Sequence, residues 1–345
     1  MTGPTEIPAY GLPRDNRQVL LVRRPQGIPQ AEDFAIAAVP RPEPGPGQFL
    51  LRNIYLSVDP AQRGWAAAGA NYSDPVPIGG VMRALAVGVV VESRAPGIAV
   101  GSFLYGWFGW QDYCVATPAQ VLMTATAALP LSAHAGLLGI NGLTACLALT
   151  ELGRPVAGET LLVSTAAGAV GSLVGQIGRL LGCRTIGLTG DDTKRQLCLD
   201  RFGFDHAYNY RTTDVAAVAK EAGPDGIDVY FDNVGGPILD SVLRHMALRG
   251  RIVQCGTASI SSWEPPPTGL RNEREVLTRR LSWNGFIIFD HRAEFERAAA
   301  KLSRWWADGA LHYEEDIAAG IEHAPGAIAG VYAGTNRGKK LIYVG

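Results

Sequence analysis

Short apolar runs broken by glycine and proline dominate the first 125 residues. Runs rich in valine, leucine, isoleucine and aromatic residues are typical of strands, whereas the stretch PRPEPGPG at residues 40–47 excludes a central strand or helix. This pattern predicts a small barrel of irregular strands, at residues 18–23, 34–39, 49–58, 84–92 and 110–116.

From about residue 158 the pattern changes to strands that alternate with helices. The continuous apolar run at residues 160–164 is typical of a parallel strand buried on both faces, and apolar positions at helical spacing follow over residues 170–181. Further strand-like runs lie at residues 184–189, 206–210, 227–233, 251–255 and 282–289. Six strands with intervening helices predict an α/β fold with a doubly wound parallel sheet that binds a nucleotide.

The end of the alternating region sets the predicted domain limits. Residues 293–309 form an amphipathic helix pattern, in which one face carries Phe295, Ala298, Ala299, Leu302 and Trp305. The predicted boundary lies beside this helix, and the C-terminal segment returns to the first domain. The prediction is therefore a catalytic domain of residues 1–127 and 291–345, and a dinucleotide-binding domain of residues 128–290.

Composition and charge narrow the classes of function. The chain has 31 basic and 32 acidic side chains, and a net charge of -1 gives no electrostatic basis for binding nucleic acid or an anionic membrane. Hydrophobic residues make up 47% and charged residues 18%, which favours a well-buried interior. Apolar runs stay far below the roughly 18 residues of a membrane span, and the proline-rich N-terminus lacks a signal-peptide core.

The cysteines and histidines are scattered. Five cysteines occur without a Cys-x-x-Cys pair, and six histidines occur without a His-x-x-x-His pair. We therefore expect no metal site, and reduced thiols in a cytoplasmic protein.

A dinucleotide-binding fingerprint follows the strand at residues 160–164. The string AAGAVG at residues 166–171 is an A-x-G-x-x-G variant, so we assign cofactor binding to Ala167, Gly168, Ala169, Val170 and Gly171. Gly168 would let the backbone approach a pyrophosphate, Gly171 would let helix and strand pack closely, and the helix start would supply N–H donors. The alternative is that these are packing glycines of an ordinary α/β domain.

The end of the second strand bears on the choice between NAD and NADP. An NAD site typically has a carboxylate at that end, whereas Leu188, Thr189 and Gly190 end this strand without one. Lys194 follows and can bind a 2′-phosphate. This favours NADP. Asp191 lies twenty residues beyond Gly171 and could be the missing acid, or the acids and Lys194 could merely cap and solvate the next helix.

Several strings together resemble the zinc-independent double-bond reductases of the medium-chain dehydrogenase/reductase family, which act on prostaglandins, alkenals and curcumin. The matching stretches are YLSVDPAQR at 55–63, GLTA at 142–145, AAGAVGSLVGQIG at 166–178, GFDHAYNY at 203–210, VYFDNVGG at 229–236 and GTNRGKKLIYV from Gly334. The resemblance implies a GroES-like β-barrel domain, a Rossmann domain, NADPH as the cofactor and a homodimer.

The resemblance also implies roles for single residues. Lys194 and Tyr210 resemble the 2′-phosphate contacts, and Asn233 resembles the asparagine near the nicotinamide ribose, although it could instead be an Asx-turn residue. Further cofactor contacts are implied for Cys255, Gly256, Phe286, Ile287 and Asn336.

Two stretches depart from the family pattern. Ala61 and Gln62 stand where the family usually has Tyr-Met after Asp-Pro. Trp263 stands where the family has a tyrosine, which weakens a simple transfer of the proton-donor role.

Reduction of a polarised C=C bond needs a hydride, a donor to the developing enolate oxygen, and a proton. Tyr72 resembles the family tyrosine at the substrate mouth and is the predicted catalytic donor, the alternative being a surface-loop tyrosine. A predicted apolar substrate pocket, with core packing as the alternative, comprises Tyr55, Trp107, Phe108 and Trp263.

These observations predict an NADPH-dependent reductase of the C=C bond in α,β-unsaturated ketones or aldehydes, acting on a small-molecule substrate. A quinone oxidoreductase on the same scaffold and a non-catalytic NADPH-binding protein are the alternatives.

Overall fold

The computed structural model describes residues 8–69, 72–126, 129–260, 265 and 267–345. The described chain divides into two compact units, one made of the residues up to Gly139 together with Glu315–Gly345, and the other of Ile140–Glu314.

Strands and helices alternate throughout the second unit, whereas strands dominate the first. The strands are β1 (Asp15–Leu21), β2 (Phe34–Pro40), β3 (Phe49–Ser57), β4 (Leu85–Ser93), β5 (Phe103–Trp107), β6 (Tyr113–Ala116), β7 (Val121–Ala125), β8 (Thr160–Ser164), β9 (Arg184–Thr189), β10 (His206–Asn209), β11 (Ile227–Asp232), β12 (Met246–Gln254), β13 (Ser282–Gly285), β14 (Glu315–Ala319) and β15 (Lys339–Tyr343). The α-helices are α1 (Gln62–Ala66), α2 (Leu131–His134), α3 (Ile140–Ala148), α4 (Gly171–Leu180), α5 (Asp192–Asp200), α6 (Val215–Ala222), α7 (Gly236–Leu243), α8 (Glu273–Arg279), α9 (Phe295–Ala307) and α10 (Ala324–Ala333).

A mostly antiparallel sheet forms the first unit. Its hydrogen-bonded order is β14-β15-β3-β4-β5-β7, with β6 also paired to β3, and β1 and β2 form a separate hairpin pair. Glycine permits the close approach of β3 and β4, because a Cβ on Gly88 would lie 2.3 Å from the carbonyl oxygen of Arg52. The prediction of an irregular β-rich domain at the start of the chain is confirmed.

A buried ion pair joins β15 to the end of β3. Lys339 is 1% exposed, and its Nζ donates to the Val58 carbonyl at 2.8 Å and to Asp59 Oδ1 at 2.7 Å. The Asp59 carboxylate also accepts from Ser57 Oγ, and the Asp59 N–H donates to Gln62 Oε1 at 2.9 Å. Burial lowers the pKa of Lys339, and the Asp59 charge opposes that shift. The cluster therefore holds the start of α1 against the C-terminal strand.

The second unit contains a parallel sheet with the order β10-β9-β8-β11-β12-β13. This is the doubly wound order: β8, the first strand of the unit, is central, β9 and β10 are added on one side of it, and β11, β12 and β13 on the other. Leu161, Leu162 and Val163 on β8 are fully buried, as a strand covered by helices on both faces requires. The predicted α/β fold class is confirmed.

Strand limits differ from the predictions at the far side of this sheet. β12 begins at Met246 and not at residue 251. Arg249, which is exposed, and Gly250 interrupt the apolar sequence pattern, but the strand continues through them. β13 ends at Gly285, and the chain continues through Phe286 into a 3-10 turn at Ile288–Glu294.

Helix α9 packs against α3 and therefore lies in the second unit. Its buried face carries Phe295, Ala298, Ala299 and Leu302, as the periodicity predicts. The compact units end at residues 139 and 314, whereas the sequence-based limits lie at residues 127 and 290. The two divisions thus differ in where they place residues 128–139 and 291–314. Among the described helices, none combines the length and hydropathy needed to cross a bilayer.

Candidate functional site

The turn between β8 and α4 presents backbone N–H groups. Thr165 adopts a left-handed conformation with φ of 51°, and α4 begins at Gly171. Within the described part of the chain, the N–H groups of Ala169, Val170 and Gly171 have no acceptor, whereas the Ser172 N–H is already bonded to the Gly168 carbonyl. Unpaired donors at the start of a helix form a favourable site for an anion.

Close packing explains the glycines of this segment. A Cβ on Gly168 would lie 3.2 Å from the Thr165 carbonyl oxygen, and a Cβ on Gly171 would lie 2.3 Å from the same atom. One turn later, a Cβ on Gly175 would lie 1.9 Å from Phe204 Cζ. Gly171 therefore allows the turn to close on its own backbone, and Gly175 allows α4 to pack closely against Phe204.

The region beyond β9 contains the residues predicted to select the cofactor. Asp191 caps α5, because its Oδ1 accepts from the Lys194 N–H at 2.8 Å, and its Oδ2 lies 3.9 Å from Lys194 Nζ. The capping interpretation of Asp191 therefore describes this carboxylate better than the ribose-binding one. The Tyr210 hydroxyl lies 3.1 Å from the point that a Cβ on Gly190 would occupy, so Tyr210 lies beside the end of β9.

A buried carboxylate that the sequence analysis missed organises the loop after β11. Asp232 is fully buried, and its oxygens accept from the N–H groups of Val234 and Gly235 at 2.8 to 3.1 Å. It also accepts from Ser164 Oγ at 3.2 Å, Tyr230 Oη at 2.9 Å and Gln254 Nε2 at 2.9 Å. The sequence signal for this carboxylate was its position directly before the string NVGG at residues 233–236. Asp232 thus joins the ends of β8, β11 and β12.

Asn233 is held at the same edge. Its N–H donates to Ser164 Oγ and its Nδ2 donates to the Ser164 carbonyl, both at 2.8 Å. These bonds link two neighbouring strands, so the side chain is not simply that of a local Asx turn. Gly235 and Gly236 follow with φ of 65° and 59°, values that glycine adopts without strain.

The predicted nicotinamide-side residues lie at the ends of the adjacent strands. The N–H groups of Cys255 and Gly256 donate to the Asp232 carbonyl at 2.7 and 3.1 Å, and the Phe286 N–H donates to the Gln254 carbonyl at 3.1 Å. Burial raises the pKa of the Cys255 thiol to about 12, which keeps it protonated. Ile287 follows Phe286 in the chain. The ends of β8, β11, β12 and β13 therefore bring these residues to one edge of the sheet, where ligands bind in doubly wound folds.

The predicted substrate-pocket residues lie in the first unit and differ in exposure. The Trp107 ring packs edge-on against Trp65 at 5.3 Å between centroids, and the half-buried Tyr55 ring lies 5.5 Å from Tyr343. Phe108 is 1% exposed and contacts Phe49 in the core, which is the core-packing alternative. Trp263 lies outside the described residues.

Tyr72 and Asn336 also belong to the first unit. Tyr72 is 48% exposed, yet desolvation of the phenol raises its pKa to about 12. Trp65, a neighbour of the Tyr72 phenol, is 1% exposed. Its indole N–H has no acceptor at hydrogen-bond distance and angle within the described residues. Asn336 donates from Nδ2 to the Gly338 carbonyl at 2.7 Å and lines a cavity of about 430 Å³.

The described residues contain no group of three or more His, Cys, Asp or Glu side chains that could hold a metal ion.

Comparison with protein families identifies two matching regions. Residues 17–124 match the model described as the N-terminal domain of oxidoreductase, and residues 169–304 match the model described as zinc-binding dehydrogenase.

Curated relatives and solved structures match almost the whole chain. The NADPH-dependent curcumin reductase of Escherichia coli is 39% identical over 337 residues, which cover 95% of this chain and 97% of that protein. The NADP⁺-dependent 2-alkenal reductase of Nicotiana tabacum is 37% identical over 335 residues, with coverage of 95% and 97%. The crystal structure of CurA from Vibrio vulnificus in complex with NADPH has a TM-score of 0.90 and 37% identity, covering 95% of this chain and 99% of that one.

Proposed function

This chain belongs to the zinc-independent double-bond reductases of the medium-chain dehydrogenase/reductase family, and we propose that it catalyses the NADPH-dependent reduction of the C=C bond of α,β-unsaturated ketones and aldehydes. Two relatives that align with 95% of this chain are named as a curcumin reductase and a 2-alkenal reductase.

The phosphate-binding edge of the second unit carries this proposal. The unpaired N–H groups of Ala169, Val170 and Gly171 suit the pyrophosphate. Gly168 is proposed to let the backbone approach it, and Ala167 is proposed as a further contact. Asn233, Cys255, Gly256, Phe286 and Ile287 would bind the nicotinamide half. Asn336 is proposed as a further contact.

NADPH, when bound, supplies the hydride that is added to the β-carbon of the substrate. The protein must position the substrate and stabilise the negative charge that develops on the carbonyl oxygen. We assign the hydrogen-bond donor to Tyr72, whose raised pKa of about 12 keeps the phenol protonated at neutral pH. Tyr55, Trp107 and Trp263 are proposed to contact the apolar part of the substrate.

The function is tested by following NADPH oxidation with a panel of enones and enals, and by identifying the product. We expect saturated ketones and aldehydes with the carbonyl intact. Turnover of quinones without alkene saturation would favour the quinone oxidoreductase, and tight NADPH binding without turnover on either panel would favour a non-catalytic binding protein.

Replacement of Lys194 by alanine tests the cofactor preference. Loss of a charge-assisted contact to the 2′-phosphate should weaken NADPH binding by about 1.5 to 3 kcal/mol, about ten-fold or more, and leave NADH binding nearly unchanged. Titration calorimetry with both cofactors measures this. Arg274→Ala is the control, since Arg274 is an exposed arginine on α8 of the same unit. Equal losses for NADPH and NADH would refute the assignment.

We also propose that the protein is a homodimer. β13 is paired on one side to β12 and lies at the edge of the described sheet, and its Trp283 is 45% exposed. An exposed edge strand can pair with the same strand of a second copy. The molar mass in solution, measured by light scattering, tests this.

The five free cysteines, four of them buried, support the proposed cytoplasmic location. Fractionation of the cells that produce the protein tests it.

A further inference from the structure

The turn that follows β10 is fixed to the end of the neighbouring strand. The Tyr210 N–H donates to the Thr189 carbonyl of β9 at 3.0 Å. Asn209 is 6% exposed, its Oδ1 accepts from the Arg211 N–H at 3.1 Å, and its carbonyl accepts from the Thr213 N–H at 3.0 Å. The backbone of Arg211 is therefore held in place by residues of the sheet.

This turn directs Arg211 toward the same position as Tyr210. Arg211 Nε lies 3.7 Å from the point that a Cβ on Gly190 would occupy, and the Tyr210 hydroxyl lies 3.1 Å from that point. Arg211 is exposed, and its guanidinium has no acceptor within the described residues. Several other arginines of the unit are paired, for example Arg251 with Glu159.

We propose that Arg211 is a second cation for the 2′-phosphate and a determinant of NADPH specificity. This inference rests on the proposed function and deepens it, because the sequence analysis assigned only Lys194 and Tyr210 to this phosphate. A guanidinium presents a planar fork of N–H donors that matches two phosphate oxygens, whereas the Lys194 ammonium acts as a compact point charge. The ligand class is a phosphate monoester on the ribose of an adenine nucleotide.

The charges around Arg211 favour binding of the negatively charged 2′-phosphate. Asp191 is engaged by the Lys194 N–H, and Asp192 is paired with Arg195 at 3.2 Å. The acids of this segment are thus held by partners of their own helix, while the Arg211 guanidinium faces the end of β9.

Binding of two nucleotides that differ in one phosphate tests the proposal without turnover. The probes are adenosine 2′,5′-bisphosphate and adenosine 5′-monophosphate, titrated into the full-length protein by calorimetry. Arg211→Gln should lower the affinity for the bisphosphate about ten-fold and change the affinity for the monophosphate less than about two-fold. Arg211→Lys should retain part of the affinity for the bisphosphate. Arg274→Gln, an equal change of charge at an exposed arginine on α8, should alter neither affinity.

Ionic strength provides a second readout. Because exposed charges are screened by salt, the affinity of the wild type for the bisphosphate should fall more steeply with salt than that of Arg211→Gln.

The outcomes separate this inference from the proposed cofactor. Equal affinity of the wild type for both nucleotides would contradict NADPH as the cofactor. Discrimination in the wild type that persists unchanged in Arg211→Gln would overturn the role of Arg211 alone, as would equal losses for both nucleotides.

Discussion

Lys339→Ala should destabilise the protein by about 3 to 5 kcal/mol, the cost of leaving a buried charge without its partner. Asp59 is 3% exposed, and its Oδ1 would lose the ammonium that lies 2.7 Å away. The Val58 carbonyl would also lose a donor at 2.8 Å. Chemical denaturation followed by circular dichroism measures the change in the free energy of unfolding.

The neighbouring residue supplies a matched control. Lys340 lies on the same strand and pairs with Asp316 at 2.8 Å, but its side chain is 18% exposed and that of Asp316 is 32% exposed. Lys340→Ala should therefore cost at most about 1 kcal/mol. Adding Asp59→Asn to Lys339→Ala should recover part of the loss, because the buried negative charge is then removed. Similar losses of unfolding free energy for the two lysine variants would show that the buried pair contributes no more to stability than the more exposed one.

Tyr72→Phe should lower kcat by about ten-fold to a hundred-fold and change KM much less. The phenol would hydrogen-bond the carbonyl oxygen most strongly when enolate charge develops, so its loss affects the transition state more than the ground state. A lone donor of this kind contributes about a hundred-fold or more, but water or a ribose hydroxyl can share the role, which reduces the expected effect. Single-turnover measurements with an enone separate this step from product release.

The pH dependence of the same variant gives an independent check. The Tyr72 pKa is raised to about 12, so the protonated, donating form persists through neutral pH and is lost only as the pH rises toward that value. The ratio of wild-type to variant kcat should therefore be constant between about pH 6 and 9. Tyr10→Phe, at a tyrosine that is 38% exposed in the same unit, serves as the control. A wild-type single-turnover rate in Tyr72→Phe would exclude Tyr72 as the donor.

The hydrophobic pattern was sufficient to predict the second unit. The buried run of β8, the following helix and the recurrence of similar runs predicted a doubly wound parallel sheet, because parallel strands need crossover helices, and the structure has that order. The same pattern could not place α9. Its apolar face is evident from Phe295, Ala298 and Leu302, but periodicity shows that a helix is covered and not which element covers it.

The directions in which the side chains of the candidate site point could not be predicted from the sequence. Asp191 has the spacing expected of a ribose-binding acid, but its carboxylate accepts from the N–H of its own helix. Phe108 stands in a glycine-broken aromatic stretch typical of a pocket wall, yet its ring is in the core. Arg211 follows the matched Tyr210 directly, and only the geometry of the turn shows that both approach Gly190.

The Asp232 carboxylate has a consequence for the kinetics of cofactor capture. Because it bonds to Ser164, Val234, Gly235 and Gln254 at once, the strand ends and the loop are ordered when the chain folds. The conformational entropy of ordering that loop is thus lost during folding, before a nucleotide arrives. We therefore expect cofactor binding at this loop to require no search among loop conformations, which would leave diffusion and orientation to limit the association rate.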